Sequence, residues 1–225
     1  APPIWHPSPN FGPRRDGALP DMVVIHHTAM PRCAEALTRL CDAASEVSAH
    51  YLIHEDGRIW QMVEEEMRAW HAGAGRWGAV EDVNSRSIGI ELANSGDAPY
   101  PEPQMAVLER LLRDLMARWR IPPERIIAHS DMAPERKFDP GPRFDWRRLA
   151  VQGLSVWPDA TCGEGDFFSD AARFGYTSDV DKGAILRAFR LRFRPWGTGP
   201  LDAGDAGLMA DLSRRFPVDR AGAGA

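Results

Sequence analysis

His26 closes the apolar run Met22-Val23-Val24-Ile25, and His129 closes Arg125-Ile126-Ile127-Ala128. Asp139 follows His129 by ten residues, across a proline-bounded loop able to fold the carboxylate back towards the imidazole. Two imidazoles and one carboxylate suffice to hold Zn²⁺ tetrahedrally with the fourth position open, the pattern of a catalytic rather than a structural site. Water in that position is acidified from a pKa of about 15.7 towards about 7. Cleaving an amide this way also needs a base for the water's proton and a cation or donor for the tetrahedral oxyanion. Glu91, the only charged residue in the apolar stretch 88–92, and Lys137, two residues before Asp139, suit those roles. Surface ion pairing is the competing reading of the same residues.

The other histidines carry less. His26 and His27 are adjacent on a strand end, where successive side chains point to opposite faces, so only one can face a given site. His6 and His54 read as ordinary polar residues, and His50 as structural or as orienting a ligand from behind. Cys33, Cys41 and Cys162 cannot all pair within one chain and form no C-x-x-C, so reduced thiols are expected.

These groups need rigid supports. The β-branched run at 22–25 predicts a buried strand that delivers His26 and His27. Residues 35–44 look helical, residues 51–62 read as a hairpin around Asp56-Gly57, and residues 87–92 and 125–129 as further strands. Met105, Leu108, Leu111, Leu112, Leu115, Met116 and Trp119 recur at spacings of three and four, which predicts an amphipathic helix stopped by Pro122-Pro123. Strands interleaved with helices imply an α/β fold with a mixed central β-sheet flanked by helices. The first 20 residues hold six prolines and can form neither helix nor central strand over any length. Beyond Trp157-Pro158, residues 166–173, 182–193 and 205–215 read as three short helices, and the stripe Ile185, Phe189, Phe193 needs a partner. The expected organisation is a catalytic domain at 1–157, with the proline-rich arm, and a small C-terminal three-helix domain at 158–225.

A net charge of −5 with no block of Lys and Arg argues against a nucleic-acid partner. No run of about 18 apolar residues is present, so no membrane span is expected. Residues 1–10 have neither the basic start nor the apolar centre of an export signal, although the chain begins at Ala1 rather than Met.

Five segments in order, Val23-Val24-Ile25-His26-His27-Thr28-Ala29, Val47-Ser48-Ala49-His50-Tyr51-Leu52-Ile53, Trp70-His71-Ala72-Gly73, residues 84–92 and residues 129–141, resemble the zinc N-acetylmuramoyl-L-alanine amidases of the amidase 2 type, a family that includes T7-lysozyme-like enzymes and peptidoglycan recognition proteins. The resemblance runs through most of residues 5–157. It implies one zinc per chain on His26, His129 and Asp139, with Glu91 as acid/base and Lys137 stabilising the transition state. By position in the matching segments, His27, His71, Trp77 and Arg136 would line the cleft and bind sugar or stem peptide; packing or exposure is the alternative for each. An Asp at 139 and Ala49 where another branch has a catalytic Tyr look like the branch of the cytoplasmic recycling and outer-membrane lipoprotein amidases. Residues 163–217 resemble the helical peptidoglycan-binding-like domain of the lipoprotein type, although Arg190 and Arg192 depart from its usual polar residues. The expected partner is a muropeptide or peptidoglycan, met by a monomer. With no signal or lipobox cysteine in the sequence and an odd number of thiols, the cytoplasm is the expected location; the C-terminal domain points to the alternative, the periplasm or outer membrane after removal of a signal. The rival function is a non-catalytic peptidoglycan-binding protein.

Overall fold

The computed structural model describes residues 2–159 and 165–219. The proline-rich arm contributes only β1 (Ile4–Trp5) and β2 (Phe11–Pro13). The run that ends in the two histidines is β3 (Met22–His27), followed by α1 (Cys33–Leu40). The helix stops four residues earlier than the sequence suggests because the Asp42 carboxylate accepts the Ala44 N–H at 3.0 Å and starts a separate turn. β4 (Tyr51–Ile53) and β5 (Ile59–Gln61) form the predicted hairpin, with Gly57 at φ +88° in its turn. Next come β6 (Met67–Ala69), the one-turn α2 (Val83–Arg86), β7 (Ser87–Leu92) and the long α3 (Glu102–Trp119). β8 (Ile126–Ala128), the short α4 (His129–Met132) and α5 (Trp146–Val151) complete the region expected to be catalytic. α6 (Phe167–Phe174), α7 (Lys182–Phe193) and α8 (Ala203–Arg215) follow. Cys33 and Cys41 are free, and Cys162 lies outside the described residues. Among the described residues no helix is long and apolar enough to cross a membrane.

The main sheet runs β1-β5-β4-β7-β3-β8, and β2 pairs separately with β6. β4, β7, β3 and β8 are mutually parallel while β5 runs antiparallel to β4, so the sheet is mixed. The crossover from β3 to β4 and that from β7 to β8 move in opposite directions across the sheet. Crossovers of one hand must then place their helices on opposite faces. Accordingly α3 packs with Val23, Ile25, Ile88 and Ile90 on one face, while α1 packs with Leu52 on the other. The register pairs His26 with Glu91 and Glu91 with Leu52, which fixes the face that these side chains share.

The rest of that second face belongs to the last three helices. Met22, Val24 and Ile127 pack in one buried cluster with Phe167, Phe174, Phe189, Phe193, Met209 and Leu212. The stripe predicted on α7 thus finds its partner in the sheet, and residues beyond 158 share a core with those before it. Two consequences are measurable by calorimetry. The protein should unfold in a single transition, and Phe189→Ala, which empties a fully buried site, should cost about 3–5 kcal/mol of global stability. Two separate transitions, with only the smaller one shifted, would contradict the shared core.

Candidate metal centre and cleft

The carboxyl ends of β3 and β7 open into a cleft lined by His26, His27, His71, Glu91, His129, Lys137 and Asp139. β3 delivers His26 and β7 delivers Glu91. His129 does not end its strand as expected; it opens α4, because the Asp131 carboxylate accepts the Ala128 N–H at 2.8 Å and turns the chain there. The loop from His129 does fold back. Ser130 N donates to the Asp139 carbonyl at 3.1 Å, and the Asp139 carboxylate returns to the histidines.

Nδ1 of His26 lies 2.9 Å from Nδ1 of His129, and Oδ2 of Asp139 lies 3.2 and 3.0 Å from the two. The outer ring nitrogens decide what these contacts mean. His129 Nε2 faces the Ala72 carbonyl at 2.9 Å, so it carries the proton and Nδ1 is a bare acceptor. The Ser87 hydroxyl donates to the Val83 carbonyl at 2.6 Å, so its oxygen accepts from His71 Nε2 at 3.1 Å. His71 Nδ1 is then an acceptor, and His26 Nε2, 2.9 Å away, donates to it. His26 Nδ1 is therefore bare as well. Two lone pairs and a carboxylate oxygen converge, an arrangement that a cation resolves. Bonds of about 2.0–2.2 Å to a tetrahedral Zn²⁺ set ligand atoms about 3.4 Å apart, close to the triangle found here. His26, His129 and Asp139 are the one cluster of this kind among the described residues.

The protonation states agree. Burial, reinforced by His129, lowers His26 to about 4, and burial holds His71 well below its usual range. Burial would raise Asp139, but the contacts with His129 and His26 outweigh it and hold the carboxyl well below 3.8. Neutral imidazole and carboxylate are the forms that bind metal. Glu91 behaves oppositely: burial first, then the charge of Asp139, pushes it up to about 8 against the pull of Lys137. Its Oε2 is buried with no hydrogen-bond partner.

The remaining candidates separate. His27 lines the cleft with its ring against Gly96, where a Cβ would lie 2.9 Å from the imidazole. His71 lies over Gly89, where a Cβ would come within 2.4 Å of its ring, and its two nitrogens are engaged by His26 and Ser87. Trp77 is not in the cleft. It is fully buried against Phe174 and Tyr176, with ring centroids at 5.5 and 5.1 Å, because the last three helices cover it. Arg136 does not line the cleft either; its guanidinium donates to the carbonyls of Ala72 and Ala74 and ties the two site loops together. His50 is structural, donating to the Met67 carbonyl at 3.0 Å and accepting from Gly89 N at 3.0 Å.

Sequence reasoning missed several contributors. Asn84 Oδ1 accepts from the N–H groups of His71 and Ala72, which aims the Ala72 carbonyl at His129. Arg39 and Trp70 line the cleft. Trp70 was signalled by its place beside His71. Arg39 carries no local signal beyond lying one turn after buried Ala36 on α1.

The N-acetylmuramoyl-L-alanine amidase family profile matches residues 16–142. The N-acetylmuramoyl-L-alanine amidase AmiD of Escherichia coli K12 is 36% identical over 234 aligned positions, spanning 88% of this chain and 84% of its own. The 1,6-anhydro-N-acetylmuramyl-L-alanine amidase AmpD of the same strain is 36% identical over 162 positions, spanning 64% of this chain and 88% of its own. The solved complex of E. coli AmiD with the substrate anhydro-N-acetylmuramic acid-L-Ala-D-γ-Glu-L-Lys superposes with a TM-score of 0.81 at 33% identity, covering 95% of this chain and 94% of that one. With fold, cleft and sequence in agreement, the chain belongs to the N-acetylmuramoyl-L-alanine amidase family.

Proposed function

We propose that this protein is a zinc-dependent N-acetylmuramoyl-L-alanine amidase, hydrolysing the amide between the lactyl group of an N-acetylmuramic or anhydro-N-acetylmuramic acid and the L-alanine of the stem peptide. The observation that carries this reading is the convergence of three acceptors, His26 Nδ1, His129 Nδ1 and Asp139 Oδ2, beside a carboxyl held near neutrality. These three would hold the ion. When bound, zinc supplies Lewis acidity that acidifies water towards a pKa of about 7 and polarises the scissile carbonyl.

The chain's own groups do the rest. Glu91 Oε2, buried and unpartnered, takes a proton from the attacking water and returns it to the leaving alanine amine. The Lys137 ammonium, in the same cleft, offsets the charge of the tetrahedral oxyanion. His71, with Ser87 behind it, fixes the tautomer of His26, and the Ala72 carbonyl does so for His129. His27 remains free to meet substrate at the cleft wall. AmiD and AmpD support an anhydro-muropeptide as substrate. Comparing purified anhydro-muropeptides with intact sacculi separates the cytoplasmic pool from the periplasmic wall.

Turnover of anhydro-muropeptide should vanish in a chelator and return with zinc, and Asp139→Ala should leave less than one zinc per chain by metal analysis; activity that survives complete metal removal overturns the proposal. Glu91→Gln should keep its zinc and lose about 10²–10⁴-fold in kcat, and Lys137→Met about 10²–10³-fold, read in the same assay. In metal-free protein Glu91 keeps a proton when folded up to about pH 8 and loses it near 4.5 when unfolded. The stability from this difference is present below pH 4.5 and is lost as pH rises towards 8. The Tm of Glu91→Gln relative to wild type should therefore increase across that interval, and a flat difference would show that Glu91 ionises normally.

A further inference from the structure

α7 sends one charged side chain out of its own bundle and into the amidase sheet. Arg192 and Asp131 have no side-chain exposure. The guanidinium donates through Nη1 to Asp131 Oδ2 at 2.5 Å, and through Nη2 to the Ile126 carbonyl at 2.9 Å and Ser155 Oγ at 3.2 Å. Its Cζ lies 4.3 Å from the ring centroid of Trp146. Tyr176, between α6 and α7, donates its hydroxyl to Asp131 Oδ1 at 2.6 Å. Burial, then the Asp131 charge, holds that hydroxyl well above its usual pKa, so it stays a donor.

Asp131 is not an arbitrary anchor. The same carboxylate accepts the Ala128 N–H, the bond that ends β8 and starts the turn presenting His129. Ser130, inside that turn, donates to the Asp139 carbonyl. The Ile126 carbonyl lies on β8, the edge strand of the sheet, so Arg192 also occupies part of that otherwise open edge. Bonds from the helical module thus reach the backbone just before His129 and the side chain just after it. An apolar contact tolerates small shifts, whereas these buried directional bonds, which engage both Asp131 oxygens and both terminal nitrogens of Arg192 and leave only its Nε without a partner, favour one arrangement. Buried ion pairs contribute little net stability against apolar replacements, so specification is the better account of this one.

We propose that the C-terminal helical module is a positioning element of the metal centre, acting through Arg192 and Tyr176 on Asp131 to hold the turn that presents His129 and anchors Asp139. The inference rests on the reading of those two residues as metal ligands.

Three variants of the full chain test it. Arg192→Met keeps the length and removes the charge, Tyr176→Phe removes one hydroxyl, and Phe167→Leu loosens the module where it packs on Phe189 without touching Asp131. Zinc affinity is measured by chelator competition beside Tm, and the Nε2–H resonance of His129 by ¹⁵N NMR of the metal-free protein. Arg192→Met should raise the zinc dissociation constant about 10–100-fold, Tyr176→Phe should raise it by less, and both should shift or broaden the His129 resonance. Phe167→Leu should lower Tm and leave zinc affinity at the wild-type value. Unchanged affinity and resonance in the first two overturn the proposal. So does an equal loss of affinity in Phe167→Leu at equal loss of Tm, since Arg192 would then act through global stability alone. If Arg192→Met does not fold, Tyr176→Phe decides. Wild-type protein that binds no zinc overturns the metal reading instead, and the His129 resonance still decides the positioning.

Discussion

Three electron-rich atoms within 3.2 Å of one another repel unless a cation or proton lies among them, and here every outer hydrogen bond works to keep the inner positions bare. His129 is turned inward by the Ala72 carbonyl, and His26 by a chain that starts at the Val83 carbonyl and passes through Ser87 and His71. The remaining features serve that convergence. Gly89 leaves room for His71 to lie on the strand, Asn84 aims Ala72, and Arg136 ties the loop carrying Ala72 to the loop carrying Asp139.

Electrostatics reinforce the geometry. Burial drives His26, His50 and His71 neutral, so none of these three competes with a metal by holding a proton near pH 7. Glu91 follows the same rule: burial first, and then the charge of Asp139, keeps its proton on, with no hydrogen bond at Oε2 to favour the anion. One carboxyl of the cleft is thereby fixed as an anion and the other left able to exchange a proton, a division of labour set by neighbours rather than by residue type.

Much of this was legible in the chain because the supports are periodic. β3 stands out as a β-branched run, β7 as a short stretch with a single charged residue, α3 by its three-and-four spacing, and His26 and His129 as polar residues placed where apolar runs end. The failures fall where no period exists. Trp77, in an irregular loop, has the composition of a sugar platform, and its true partners, Phe174 and Tyr176, lie about a hundred residues on. His71 reads equally well as a substrate contact until both its nitrogens are found engaged. Arg192 looks like a surface charge on a short helix, and only the docking of α7 beside β8 brings it to Asp131, 61 residues away. His129 was read as a strand end because the switch into α4 depends on a side-chain bond from Asp131, which spacing does not reveal.

His26 and Glu91 occupy paired positions on adjacent parallel strands. The spacing of their backbones is the strand separation common to all sheets, about 4.8 Å. That distance comes in fixed increments: moving either residue along its strand without changing face shifts it by two residues, about 6.6 Å, and a single-residue slip turns it to the opposite face. The separation of ligand and base thus cannot drift by small backbone steps. Variation among enzymes built on this ladder must fall instead on the loops and on α1, where substrate shape is read, while the reacting geometry stays locked to the lattice of the sheet.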